Sequence, residues 1–140
     1  MTGKFVISVV VVFVLQFALS FLVHGVLMHG DYMQMLSFMR KPEDTHSLMG
    51  WMVLAHALFS VAFVWIYLQG REDKPWLAQG IRYGIAIALL AIAPVYLIYH
   101  VVTPVPLGAA FKQIAFDSVR VVLTAIVLAW INRGPELAHA

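Results

Sequence analysis

The sequence predicts an all-α transmembrane four-helix bundle, with a short interfacial amphipathic helix between the first and second spans. Three observations carry this. The 140 residues are 62% hydrophobic and only 11% charged, where a soluble domain holds about 25% charged residues. The apolar residues gather in four blocks, each near the ~20 residues a helix needs to cross hydrocarbon. Polar turns and prolines separate the blocks, which are too long and too unalternating for barrel strands, so each span must satisfy its backbone internally as a helix. Residues 1–140 thus form a single integral membrane domain, with spans expected at about 5–24, 49–68, 83–102 and 114–131.

The first block follows Lys4 and runs from Phe5 to about His24. A signal peptide is the competing reading, with Ala18-Leu19-Ser20 as a small-residue cleavage site. The apolar run continues through Phe21, Leu22 and Val23 into a chain that is itself polytopic, so the block is read as a retained span. Between Asp31 and Lys41, polar residues recur at helical spacing while Tyr32, Met35, Leu36, Phe38 and Met39 fill the rest of the wheel. This predicts a helix lying in the interface and ended by Pro42.

The second block, Met49 to Leu68, stops at the polar turn Gln69 to Pro75. Gly80, Gly84 and Ala88 repeat every fourth position into the third block, a close-packing stripe that suits either a partner or an ordinary seam within the chain. That block, Tyr83 to Val102, contains Pro94, which removes a helical hydrogen bond and would free the carbonyl of Leu90. It ends at Thr103-Pro104-Val105-Pro106. The fourth block, Ile114 to Ile131, closes before Asn132-Arg133-Gly134-Pro135 and contains Asp117 and Arg120. Without Arg120 it would supply only about 16 Å of helix against a hydrocarbon thickness of about 30 Å, so Arg120 must lie inside.

Lys4, Arg71, Lys74, Arg82 and Arg133 fall on one side of the alternating spans, and Arg40, Lys41 and Lys112 on the other. The excess of basic residues puts both termini in the cytoplasm. The nine Lys and Arg residues form no cluster that would neutralise a run of phosphates, so no nucleic-acid partner is expected. Membrane lipids are the expected surroundings. The absence of cysteine removes disulfides, thiolate catalysis, Fe–S clusters and Cys-bound zinc. No nucleotide-binding, zinc-protease or serine-hydrolase motif is present, and no catalytic residue is assigned.

The chemistry-bearing residues gather towards the outer side. His24 and His100 end outward-running spans, His56 lies two turns into an inward-running one, and Tyr96, Tyr99, Asp117 and Arg120 share that depth. An ionisable residue at the bilayer centre costs about 2.5 to 3.5 kcal/mol on the lenient insertion scale, so these groups should face inward and pair. Asp117 and Arg120 are three apart on one helix and suit each other. Three readings follow. The first is a structural polar cluster (Asp117, Arg120, Tyr96, Tyr99) that fixes register, with the histidines bonding across helices. The second is a cofactor site, either haem b on His24, His56 and His100 or Cu(I) on His29, Met33, Met35, Met39 and His46. The third is a proton path or small transporter, suggested by the break at Pro94.

The layout resembles that of small four-span bacterial inner-membrane proteins grouped in families of unknown function. The likeness rests on His24-Gly25 through Tyr32, on Pro94 through Pro106, and on Lys112-Gln113-Ile114-Ala115-Phe116-Asp117. It implies the four-span plan and a bacterial cytoplasmic membrane, and it implies no activity. The leading expectation is a non-enzymatic accessory or structural subunit of a membrane complex, or a homo-oligomer. The Gly80, Gly84 and Ala88 stripe and the Met-rich interfacial helix would be its contact surfaces.

Overall fold

The computed structural model describes residues 2–134. Helix α1 (Thr2–Ser20) continues through a π-helical turn, Phe21–Leu27, into the short helix α2 (His29–Met33). The short α3 (Pro42–His46) precedes α4 (Met49–Gln69). Helix α5 (Trp76–Ile87) widens into a second π turn, Ala88–Ile92, and resumes as α6 (Ala93–Val102); α7 (Leu107–Ile131) follows. Among the described residues there is no strand. Four segments, Gly3–Leu27, Met49–Gln69, Trp76–Val102 and Leu107–Ile131, are long and apolar enough to cross a bilayer. The chain is an integral membrane protein.

Helix α7 is the hub. Gln113, Asp117, Val121, Thr124 and Leu128 recur every three or four residues and form one buried stripe. Against it lie α1, α5 and α6, while α4 packs on α1 and joins the same core through Phe63, Val64 and Tyr67. Val12, Phe63, Val64, Tyr67, Ile87, Val121 and Leu128 belong to the main apolar core. Helices α4 and α5 stand further apart and are bridged by Tyr83. Its hydroxyl donates to the Phe63 carbonyl at 2.6 Å, and its ring packs on Phe63 and Tyr67.

The stripe of small residues is a close-packing seam within the chain, and of its two expected uses it is the partner contact that gives way. A Cβ on Gly84 would stand 2.6 Å from Val122 Cα, and one on Gly80 would stand 2.9 Å from Ile126 Cα. Ala88 is buried in the same seam. Without a hydrophobic drive between helices in lipid, such backbone approach supplies much of the association. Here α7 consumes it.

The segment after the first span also differs from expectation. Helix α2 ends at Met33, and residues 34–39 form successive tight turns rather than one helix through Lys41. A short isolated helix is a poor competitor in any case. The side chains supply the reason for the break. Met35 is buried against Val23, Met28 and Ala109, while Asp31 reaches Lys112 Nζ at 2.8 Å. One straight helix lying in the interface cannot plug the bundle at Met35 and keep these neighbours. Pro42, rather than closing a helix, opens α3. There its missing N–H costs nothing, and Glu43 and Asp44 complement the positive helix end.

Two spans begin earlier than their apolar blocks. The third starts at Trp76, because Gln79 in its first turn holds the preceding loop. Gln79 Oε1 accepts from the Glu72 N–H, and its Nε2 donates to the carbonyls of Glu72 and Lys74. The fourth starts at Leu107, directly after Pro106, and its first turn packs through Ala109 against Val23, Met28 and Met35. The exposed Lys112–Asp31 ion pair marks a boundary. From Lys112 to Asn132 the helix rises about 30 Å, one hydrocarbon thickness. Arg133 and Gly134 end the described chain; Pro135 lies outside the described residues.

Asn132 binds Ser8, Nδ2 to Oγ, at 2.9 Å, and its carbonyl accepts from Arg71 Nη1 at 2.6 Å. The start of α1 and the end of α7 therefore share one end of the bundle, the terminal end. Helices α2 and α3 lie at the opposite, loop end.

Candidate functional site

Asp117 lies about 8 Å inside the Lys112 boundary and Arg120 about 12 Å inside it. The carboxylate is 1% exposed and is approached from three helical segments. His24 Nε2 stands 3.3 Å from Oδ2, the Tyr96 hydroxyl donates to the same oxygen, and Arg120 Nε stands 2.9 Å from Oδ1. The arginine contact is off the hydrogen-bond angle, so Oδ1 and Nε meet as opposite charges and leave their hydrogen-bonding capacity open. Asp117 and Arg120 together carry no net charge, which limits the cost of holding both away from water.

His24 sits in the π turn Phe21–Leu27. Such turns add a residue to one helical loop and re-aim the side chains within it. Its Nδ1 is 2.6 Å from the Tyr32 hydroxyl, and Gln113 Nε2 donates to that same hydroxyl at 3.1 Å. The two sides of the imidazole together assign its tautomer. Nε2 faces a carboxylate oxygen and carries the proton; Nδ1 accepts from the Tyr32 O–H. The Tyr32 oxygen in turn accepts from the Gln113 amide. Burial pushes the Tyr32 phenol above its usual range, so it remains a neutral O–H donor. The result is a directed run of protons: Gln113 to Tyr32, Tyr32 to His24, His24 towards Asp117, with Tyr96 closing on Asp117 from α6.

Two clefts flank the cluster. One, of about 280 Å³, is lined by Tyr32, Met35, Phe38, Tyr96, Tyr99 and Gln113, among others. The other, of about 180 Å³, is lined by Gln16, Ser20, His56, Phe59 and Arg120 between α1, α4 and α7. Asp117 stands between them, joined to the first through Tyr96 and to the second through Arg120.

The remaining sequence candidates are dispersed. Tyr99 is exposed, lines the larger cleft and is outside the Asp117 contacts. His56 donates Nδ1 to its own helix, at Met52 O, and packs on Phe17 of α1. His100 donates Nδ1 to Val105 O in the link before α7. Neither bonds across helices as expected, and the two have different surroundings. With both ring nitrogens of His24 engaged, the trio His24, His56 and His100 does not form a cofactor ligand set.

Of the proposed copper ligands, Met35 and Met39 share the larger cleft, and Met33, His29 and His46 are not among its walls. Met35 is 3% exposed in the packed cluster and Met33 is 51% exposed, while His29 and His46 are exposed on different short helices. Met35 fills space beside Met28 and Val23, the ordinary work of a flexible apolar side chain. Among the described residues, no group of three or more His, Asp or Glu is placed to hold a metal ion.

No protein-family model, curated protein or solved structure matches this chain. The site is therefore read from its own geometry. Sequence reasoning passed over Tyr32 and Gln113 as members of it. Tyr32 reads as an interfacial aromatic and Gln113 only as part of the Lys112 to Asp117 stretch, and the fold brings Tyr32 to His24 and Gln113 to Tyr32. It also passed over the uncharged pairs deeper in the bundle. Gln16 Nε2 donates to Thr124 Oγ1 at 3.0 Å, and both residues are visible in the sequence as lone polar positions inside apolar runs.

Proposed function

We propose that the chain is a non-enzymatic protein of the bacterial cytoplasmic membrane, termini on the cytoplasmic side, that serves as a proton-path component through Asp117. It would be one of the small four-span proteins that its layout resembles. The observation that carries this is the run Gln113, Tyr32, His24, Asp117, Tyr96, which leads from the larger cleft to a carboxylate otherwise sealed from solvent. A proton taken up by Tyr32 from the cleft releases the Tyr32 proton to His24 Nδ1. His24 gives its Nε2 proton to Asp117, and Arg120 stabilises the carboxylate once that proton has left towards the second cleft. The transfer leaves His24 protonated on Nδ1 instead of Nε2 and Tyr32 with its new proton towards the cleft, so a turn of the imidazole and of the phenol O–H resets both before the next proton, and no bond other than O–H and N–H is made or broken. Ionisable residues in membrane spans mark such relays because they are too costly to retain as ordinary packing.

The accessory or self-associating role loses its best surface, because Gly80, Gly84 and Ala88 are occupied by α7. The function is accordingly assigned to the polar site. Vesicles containing the protein and a trapped pH-sensitive dye test it under a potassium-driven potential. Proton entry faster than in empty vesicles, abolished in Asp117→Asn and His24→Gln, is the expected result. Entry equal to that of empty vesicles would overturn the proposal.

A further inference from the structure

The larger cleft has a chemical character that proton transfer alone does not explain. Its walls carry four aromatic rings, Tyr32, Phe38, Tyr96 and Tyr99, together with the thioethers of Met35 and Met39. Aromatic rings and thioethers favour an aromatic guest. Its volume of about 280 Å³ suits one ring-sized head and falls just below the usual range of complete ligand pockets. A longer ligand would leave its tail outside among the lipids. The nearby charges close on one another, Asp117 with Arg120 and Asp31 with Lys112, which favours a neutral guest.

The polar groups of the wall narrow the choice further. The Tyr96 proton is committed to Asp117 and the Tyr32 proton to His24. Both phenol oxygens keep accepting capacity. The Gln113 amide orientation is set, because Tyr32 has no second proton to offer and must accept from Nε2. Gln113 Oε1 therefore remains an acceptor, and one amide hydrogen is the sole donor among these three side chains. Among these three side chains acceptors outnumber donors, and Tyr99 adds one hydroxyl that can do either, so a guest that donates meets more partners in the wall than one that only accepts.

We propose that this cleft binds a neutral, lipid-soluble phenol or hydroquinone, its ring between the tyrosines and Met35 and its hydroxyl donating to Tyr32, Tyr96 or Gln113. This goes beyond the proton path, since occupancy does not require that protons move.

The methionines serve as reporters. The protein, labelled with ¹³C at its methionine methyls and held in lipid nanodiscs, is titrated with 2-decylhydroquinone, with the corresponding quinone and with the dimethyl ether. The hydroquinone should shift the Met35 and Met39 resonances saturably, leave Met49 and Met52 in place, and half-saturate at least tenfold below the other two probes. Tyr32→Phe combined with Gln113→Leu should remove that preference. Val105→Trp fills the cleft from the link before α7 and should abolish the shifts while the thermal unfolding midpoint is kept. Equal response to all three probes, or shifts spread over every methionine, would overturn the proposal, as would shifts that survive Val105→Trp. Proton entry is measured in vesicles without any phenol, so failure of binding and failure of the path are read separately.

Discussion

The two halves of the bundle solve the same problem with different chemistry. In the terminal half, helices are tied by uncharged groups. Asn132 binds Ser8, Gln16 binds Thr124, and the Thr124 hydroxyl also donates to the Arg120 carbonyl. These residues are all but fully buried and carry no charge. In the loop half, a buried carboxylate is ringed by a guanidinium, an imidazole and two phenols that are only partly buried. Neutral hydrogen bonds between membrane helices contribute about 0.6 kcal/mol on average and up to about 1.7. They suffice to set register at low cost, and the molecule uses them where register is all that is required. Retaining a titratable cluster nearby therefore calls for a task that amides and hydroxyls cannot perform.

The comparison can be broken most sharply at its charged member. Asp117→Ala leaves Arg120 without its counter-charge in a position only 12% exposed. Removing one partner of a buried pair costs about 3 to 5 kcal/mol, read as loss of resistance to unfolding in mixed micelles. A smaller loss would mean that Arg120 escapes to the headgroups and that the loop half is wetter than its packing indicates.

The next largest effect belongs to the neutral half. Gly84→Ala places a methyl 2.6 Å from the backbone of α7 at Val122, and separating α5 from α7 should cost about 1 to 3 kcal/mol. The same unfolding measurement checks it, with Gly30→Ala, at a glycine with open space around it, as the control expected to change little. Thr124→Val is milder. It preserves shape but leaves the Gln16 amide unpaired, and about 1 kcal/mol is the expected loss. Proton entry should survive it, since the change lies outside the Tyr32–His24–Asp117 run.

The smallest effect is expected outside the membrane. Lys74 and then Arg82 hold the Glu72 carboxyl below the ordinary glutamate range. The folded-state value is the depressed one, so its stabilisation is present at neutral pH and is lost as acid takes the solution below that range. The group is fully exposed, so solvent screening leaves little to lose. Glu72→Gln should flatten the acid limb of the stability profile slightly, by lowering stability a little at pH 7 and leaving it unchanged in acid.

Much of the architecture was legible because hydropathy is a sum over many residues. Four blocks of about twenty apolar positions define four spans regardless of detail. The spacing of Asp117 and Arg120 indicates that they can meet, because residues three apart share a helix face. The start of α7 was not legible. Leu107 to Gln113 is helical but stands beside α2, so helix and apolar block are different lengths of chain. Gly80 and Gly84 announce a close approach, yet spacing says nothing of which helix comes close. His24 could not be paired with Tyr32 from sequence, because the pairing depends on a π turn that has no marker comparable to Pro94 after Ala88–Ile92. The expected cofactor sets failed for a related reason. Residue type shows what a side chain can ligate, and only packing shows that His24 is spent on both sides and that Met33 and Met35 point to different surroundings.

The central claim is that the Asp117 cluster moves protons and is not needed to hold the bundle in register. The most direct measurement is the paired variant Asp117→Asn with Arg120→Gln, which removes both charges together and keeps hydrogen-bonding groups at both positions. Unfolding within about 1 kcal/mol of the parent, with proton entry reduced to that of empty vesicles, is the result expected when both members of a buried pair are neutralised. A variant that unfolds along with its loss of flux, or one that keeps full proton entry, would contradict the claim.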